Sequence, residues 1–198
     1  MQVRVARLIA SCLIVVLYVL PTVGADIFLQ TDFETPATMT GWRGIGEKGV
    51  ELSDGFGTGQ ALSVEIPASE GAGHRNARLP LPLDPLRGTR VRVEGMLRAE
   101  RVSEPPKPWN GIKLMLHTVS PGGQNWQQQN SVFGTFDWKP VRFLATVPQD
   151  ATEATLILGL ERVAGRVWFD DVKITVVSRR RSAGSAAAAG PVYKGHDL

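Results

Sequence analysis

Two groups of residues have the types and spacing to do chemistry. The first is a set of carboxylates, Glu34, Asp54, Asp170 and Asp171, lying near the ends of extended segments. Calcium takes about six to eight hard oxygens and mixes carboxylates with loop carbonyls. Glu34 closes the first extended segment and Asp170-Asp171 interrupts the last, so a fold that pairs its terminal strands brings them together. Asp54, in an early turn, would add a third carboxylate. These acids therefore read as a calcium site or as ordinary polar turn residues. The second group is built on tryptophan. Trp109 is followed by Asn110, Lys113 and His117, and Trp126 lies in an amide run, Gln124-Asn125-Trp126-Gln127-Gln128-Gln129-Asn130. Sugar rings present apolar C–H faces and hydroxyl rims, so a sugar binder combines flat aromatic platforms with amide, Lys and His hydrogen-bonding groups. The competing reading is a hydrophilic hairpin with one half-buried Trp.

Catalytic constellations do not emerge. There is no G-x-S-x-G elbow, no H-E-x-x-H, no P-loop and no G-x-G-x-x-G leading into a helix. His74, His117 and His196 stand apart from any nucleophile motif. Glycosidases need two carboxyl groups about 5–10 Å apart, and no run of alternating acids provides them. Glu94 and Glu161 could pair across strands, or each could meet Arg92 or Arg98 instead. The chain reads as a non-enzyme.

The elements that must position these residues are strands. Arg4 and Arg7, the apolar run Leu8 to Leu20, and Val23-Gly24-Ala25 form the three parts of a secretory signal peptide. Cleavage after Ala25 would start the mature chain at Asp26, secreted to the extracellular space or periplasm, with no membrane anchor retained. The single cysteine, Cys12, lies inside that peptide, which excludes disulfides, Cys-zinc sites and thiol nucleophiles in the exported protein. The formal charge of +3 falls further when Arg4 and Arg7 leave, so nothing in the charge points to nucleic acid.

Residues 26–178 read as one domain. Ala61 to Ile66, Thr89 to Glu100, Ile112 to Leu116, Lys139 to Val147 and Ala154 to Leu160 are extended, most with apolar side chains at every second position, separated by Gly, Pro, Asn and Asp. Pro67 to Asn76 reads as a polar loop, and Pro80 and Pro82 restrict Leu79 to Leu83 to an edge or an extended connection. No stretch after residue 25 sustains a 3.6-residue period. The expectation is an all-β antiparallel sandwich of the jelly-roll kind. The closing segment, Gly165 to Val177, has Val172, Ile174 and Val176 in phase, while Phe169 is out of phase by one. Burying both sets requires a β-bulge at Asp170-Asp171. From residue 179 the composition turns to Arg, Ala and Gly, which reads as a linker (179–198) leading to the start of a missing or truncated domain.

The ordered segments DFE, FGTGQALSV, GTFDWKPVRFLATVP and GRVWFDDVKI resemble the cenC-type, galactose-binding-like jelly rolls of secreted carbohydrate-binding modules (families four, nine and twenty-two). The resemblance spans residues 26–178 and implies non-catalytic binding of a polysaccharide or glycoconjugate. It also implies a structural calcium held by Glu34 and Asp171, with Asp170. Trp126, Gln127 and Gln129, together with Trp109, Lys113 and His117, are implied as ligand contacts. Such folds also serve as structural spacers beside enzymes. The tail VYKGHDL resembles the lead-in to a family-five glycoside hydrolase, which implies a C-terminal catalytic partner in a longer product.

Overall fold

The computed structural model describes residues 26–179. The expected signal peptide, and the tail from residue 180 with its hydrolase-like end, lie outside the described residues.

Ten strands and one short 3-10 turn (Ala68–Glu70) succeed one another: β1 (Asp26–Thr31), β2 (Val50–Asp54), β3 (Gln60–Ile66), β4 (Gly73–Pro80), β5 (Thr89–Val102), β6 (Gly111–Ser120), β7 (Gly123–Gln128), β8 (Gly134–Thr146), β9 (Glu153–Val163) and β10 (Gly165–Arg179). They form two antiparallel sheets. One runs β2-β3-β10-β5-β8, with β1 also paired to β10; the other runs β4-β9-β6-β7. The expected all-β antiparallel sandwich is the observed one.

Period-two alternation explains how the layers close. In β5, Val91, Val93, Leu97 and Ala99 point inward and are buried, while Arg90, Arg92 and Arg98 turn outward. In β9, Leu156, Leu158 and Leu160 point inward from the other sheet. Phe33, Leu62, Leu116, Phe169 and Ile174 complete the core between the sheets, each fully buried, and each such side chain is worth about 1.5–3 kcal/mol of burial.

The bulge in β10 is present. Phe169 and Val172 are both fully buried, Asp171 adopts φ 46°, and the register against β5 shifts between Asp170 and Lys173. The bulge also marks a change of neighbour. Gly165 to Phe169 pair with β3, whereas Val172 to Val176 pair with β1.

The structure corrects the reading of residues 67–76. Only the 3-10 turn and its flanks leave the sheet; β4 begins at Gly73 and includes His74, Arg75 and Asn76. Its sequence conceals a strand because β4 is an edge strand that buries only Ala77 and Leu79. Pro80 ends it at the sheet edge, where a missing N–H costs no ladder bond. The first strand also stops earlier than expected, at Thr31 rather than Glu34.

Candidate functional site

The outward face of the four-stranded sheet carries a cleft of about 860 Å³. Its floor follows from register. Ile157 on β9 lies opposite Met115 on β6 and Arg78 on β4, and Met115 lies opposite Gln128 on β7. One rung further along, Thr155 lies opposite His117 and Pro80, and His117 opposite Trp126. In the other direction, Asn76 and Lys113 flank Gly159, then His74 lies beside Glu161. The alternation that sends Leu156, Leu158 and Leu160 into the core therefore lays their neighbours across the cleft.

Two indoles overhang this floor, and both are exposed: Trp109 at 57% and Trp126 at 58%. Trp126 stacks on His117, with ring centroids 3.7 Å apart and planes 15° from parallel. His117 Nε2 is in turn 2.9 Å from Gln124 Oε1. One indole face thus rests on a fixed ring, and the exposure belongs to the other.

Trp109 is held differently, through its backbone. Its carbonyl accepts hydrogen bonds from Lys113 Nζ and, at 2.7 Å, from Gln128 Nε2. Lys113 is only 5% exposed. Its ammonium also ion-pairs with Glu161 and donates to Gln128 Oε1 at 3.2 Å. Three donors meet three acceptors, so Lys113 positions the site and has no hydrogen left for a ligand. Burial opposes ionisation of Glu161, but hydrogen bonds from Lys113 and Asn110 and the charge of Lys113 outweigh it, holding its carboxyl below the usual glutamate value.

Of the residues expected to touch a ligand, Trp109, Trp126, Lys113 and His117 line the cleft. Gln127 and Gln129 do not. Gln127 alternates with Trp126 and points inward, where its side chain donates to the Thr146 carbonyl (2.9 Å) and accepts from the Thr146 N–H (2.7 Å), bracing β7 against β8. Gln129 lies beyond the end of β7. The amide on the cleft side is Gln128, two residues from Trp126. Sequence reasoning also missed Arg43, Asn76, Arg78, Ile157 and Glu161, all of which line the cleft. The period-two phase of β6 and β9 would have found Ile157 and Glu161.

The other three tryptophans serve packing. Trp42 packs on Phe33 and Trp138 on Phe56, at 5.7 and 5.9 Å between centroids. Trp168 is buried, donates to Ser53 Oγ at 2.9 Å and lies between Arg98 and Arg166.

The cleft offers no paired acids. Its carboxylates, Glu153 and Glu161, stand eight residues apart on one strand, about 27 Å at strand rise, well beyond the separation glycosidases use. Glu94 belongs to the other sheet and cannot join Glu161.

The four predicted calcium acids are not gathered into one cluster. Among the described residues no group of three or more His, Cys, Asp or Glu is arranged to hold a metal. Asp54 is exposed at the end of β2, and Asp171 is exposed on the bulge. A narrower fit remains. Asp170 is 3% exposed; its oxygens accept the N–H groups of Phe56 (2.8 Å) and Asp171 (2.7 Å). Glu34 Oε1 accepts the Gln60 N–H at 2.7 Å in the same turn region. Burial raises the Asp170 pKa, the two N–H groups only partly offset this, and the charges of Asp171 and Glu34 add to the rise. Among the described residues no cation pairs with Glu34, Asp170 or Asp171. A buried carboxylate beside a second one, with no counter-charge, suits a hard cation whose other ligands are loop carbonyls.

No family model matches the chain, and no curated protein does. Solved structures share its fold. The CBM22-1 xylan-binding domain from Paenibacillus barcinonensis Xyn10C is 17% identical with a TM-score of 0.59, covering 79% of this chain and 97% of that one. The C-terminal family 22 carbohydrate binding module of Clostridium thermocellum Xyn10B is 15% identical, also with a TM-score of 0.59, covering 79% and 98%. The CBM22-1-GH10 modules of the same organism's endo-1,4-beta-D-xylanase 10B, complexed with xylohexaose, are 14% identical with a TM-score of 0.57, covering 87% of this chain and 30% of that one. The chain thus shares the two-sheet antiparallel β-sandwich fold of these domains.

Proposed function

We propose that this protein is exported and binds a polysaccharide without cutting it, on the outward face of the β4-β9-β6-β7 sheet. The observation that carries the reading is the pair of exposed indoles, Trp126 stacked on His117 and Trp109 anchored through its backbone carbonyl, over a floor of apolar and amide side chains. Preformed platforms of this kind lose little freedom on binding. One structure with this fold is described as a xylan-binding domain and another holds xylohexaose, so xylan is the first ligand to test.

Affinity electrophoresis in gels containing xylan, β-glucan or mannan tests this directly. Retardation is expected in xylan, and Trp109→Ala should weaken it about tenfold, the loss of roughly 1.4 kcal/mol. If none of the three polymers slows the protein, the binding reading fails, and the fold is left as a structural spacer beside another domain.

Calcium is the second part of the proposal. Asp170 and Glu34 would hold it with carbonyls of the surrounding loops, and the ion would neutralise the buried charge where β10 passes from β3 to β1. Calcium at about ten times its dissociation constant should stabilise the protein by ~1.4 kcal/mol, raising the thermal midpoint by about 3–6 °C. Asp170→Asn should show no such rise. A midpoint that is identical in calcium and in chelator would remove calcium from the account.

A further inference from the structure

Arg43 and Arg78 form an isolated antiparallel bridge, each N–H donating to the other's carbonyl at 2.8 and 2.9 Å. The bridge continues the ligand-facing sheet by one residue past the edge of β4. Directly opposed residues share a face with Cβ atoms about 5 Å apart, so two guanidiniums rise side by side from the rim of the cleft. Like charges so placed repel. Among the described residues neither arginine has an ion pair; the Arg78 guanidinium donates to the neutral Asn76 Oδ1, at 2.7 Å. Within the cleft, Lys113 and Glu161 neutralise each other. Glu153 is four residues along β9 from the rung of Arg78, about 13 Å away at strand rise.

The arginines are also shared by a second depression of about 560 Å³ on their far side, which includes Glu47, Lys48 and Arg75. There Lys48 and Arg75 both bind the same carboxylate, Glu70, at 3.1 and 2.5 Å. Four cationic side chains thus face two acids, Glu47 and Glu70. A substituent branching from a polymer in the main cleft would cross the arginine pair to enter this positive depression.

From this arrangement we infer that the ligand is an acidic polysaccharide, a main chain in the cleft bearing uronic-acid side groups whose carboxylate is taken by Arg43 and Arg78. Guanidinium forks match planar carboxylates in bidentate fashion. A sulfate ester offers the same oxyanion chemistry, and the experiment separates the two. The inference rests on the binding reading given above.

The test compares binding of the protein to xylan carrying glucuronosyl groups, to the same polymer after carboxyl reduction, and to a sulfated xylan. Binding to the uronate polymer should be about tenfold tighter than to the reduced one, a preference that shrinks with salt as exposed charge pairs are screened. Arg43→Gln and Arg78→Gln should each bring that ratio toward one, with the thermal midpoint showing that the fold is intact. Equal affinity for native and reduced polymer, with binding still dependent on Trp126, overturns the acidic-ligand inference and leaves the binding reading standing. A preference for the sulfated polymer that needs both arginines overturns the uronate assignment. Binding to none of the three overturns both readings.

Discussion

Trp126→Ala is expected to weaken polysaccharide binding about thirtyfold, a loss of roughly 2 kcal/mol, in the range of an interfacial hot spot. The indole is poised on His117 at 3.7 Å, so a sugar ring bound there would close a three-layer stack of imidazole, indole and ligand. Alanine removes the middle layer, and the imidazole left beneath, still held by Gln124, lies one ring-thickness too deep to take its place. The fold should be little affected, because the indole is 58% exposed and exposed substitutions usually stay within about 0.5 kcal/mol. Isothermal titration calorimetry beside a thermal melt separates the two effects. Trp126→Phe, which keeps a smaller platform, should fall between alanine and the parent. Full affinity in Trp126→Ala would show that the stack is structural and that the ligand lies elsewhere.

Gly159→Ala is expected to destabilise the protein by about 3 kcal/mol, the upper part of the overpacking range, and to impair binding as well. Gly159 lies opposite Asn76 in the β4–β9 ladder. A Cβ there would collide with the Arg75 carbonyl oxygen and would come within 2.6 Å of Asn76 Cβ. These are backbone and near-backbone atoms, so no side-chain rotation relieves the contact. The remaining adjustment is for β4 to move away, carrying His74, Asn76 and Arg78 with it. Denaturant titration should show a lower midpoint with an unchanged slope. A shift below about 0.5 kcal/mol would mean that β4 moves freely and that the cleft floor is softer than the ladder implies.

Where burial enforces alternation, the fold is legible from the residues. Val91, Val93, Leu97 and Ala99 reveal β5 because one face must be apolar, and the phase slip between Phe169 and Val172 reveals the bulge because both must be buried. β4 is obscure for the opposite reason. It is an edge strand whose outward face forms part of a polar cleft, so His74, Asn76 and Arg78 have the composition of a loop. At the site, the two indoles and the hairpin carrying Trp126 were recoverable, whereas the phase of the amides was not. Three consecutive glutamines give no hydrophobic cue, and only the His117↔Trp126 pairing shows that Gln128 faces out and Gln127 in. Lys113 is misleading for a related reason. A lysine on an outward strand face reads as free, and only its three acceptors show that it is committed. Arg43 and Arg78 are 35 positions apart in sequence and meet through one backbone bridge, which no local pattern encodes.

The antiparallel pairing of β1 with the end of β10 places Asp26 opposite Val176, in the sheet that faces away from the cleft. The two ends of the described chain therefore leave the sandwich side by side, on the side remote from any bound polymer. Neighbouring protein attached at either end, or at both, would hold the domain by its back, as a handle holds a brush, and leave the cleft turned outward. Closely placed ends are also what make domains tolerant of insertion into a host loop or of circular permutation. The same geometry makes this domain transplantable: joining its ends by a short linker, or splicing it into a surface loop of another protein, would leave the cleft as open as it is in the parent chain.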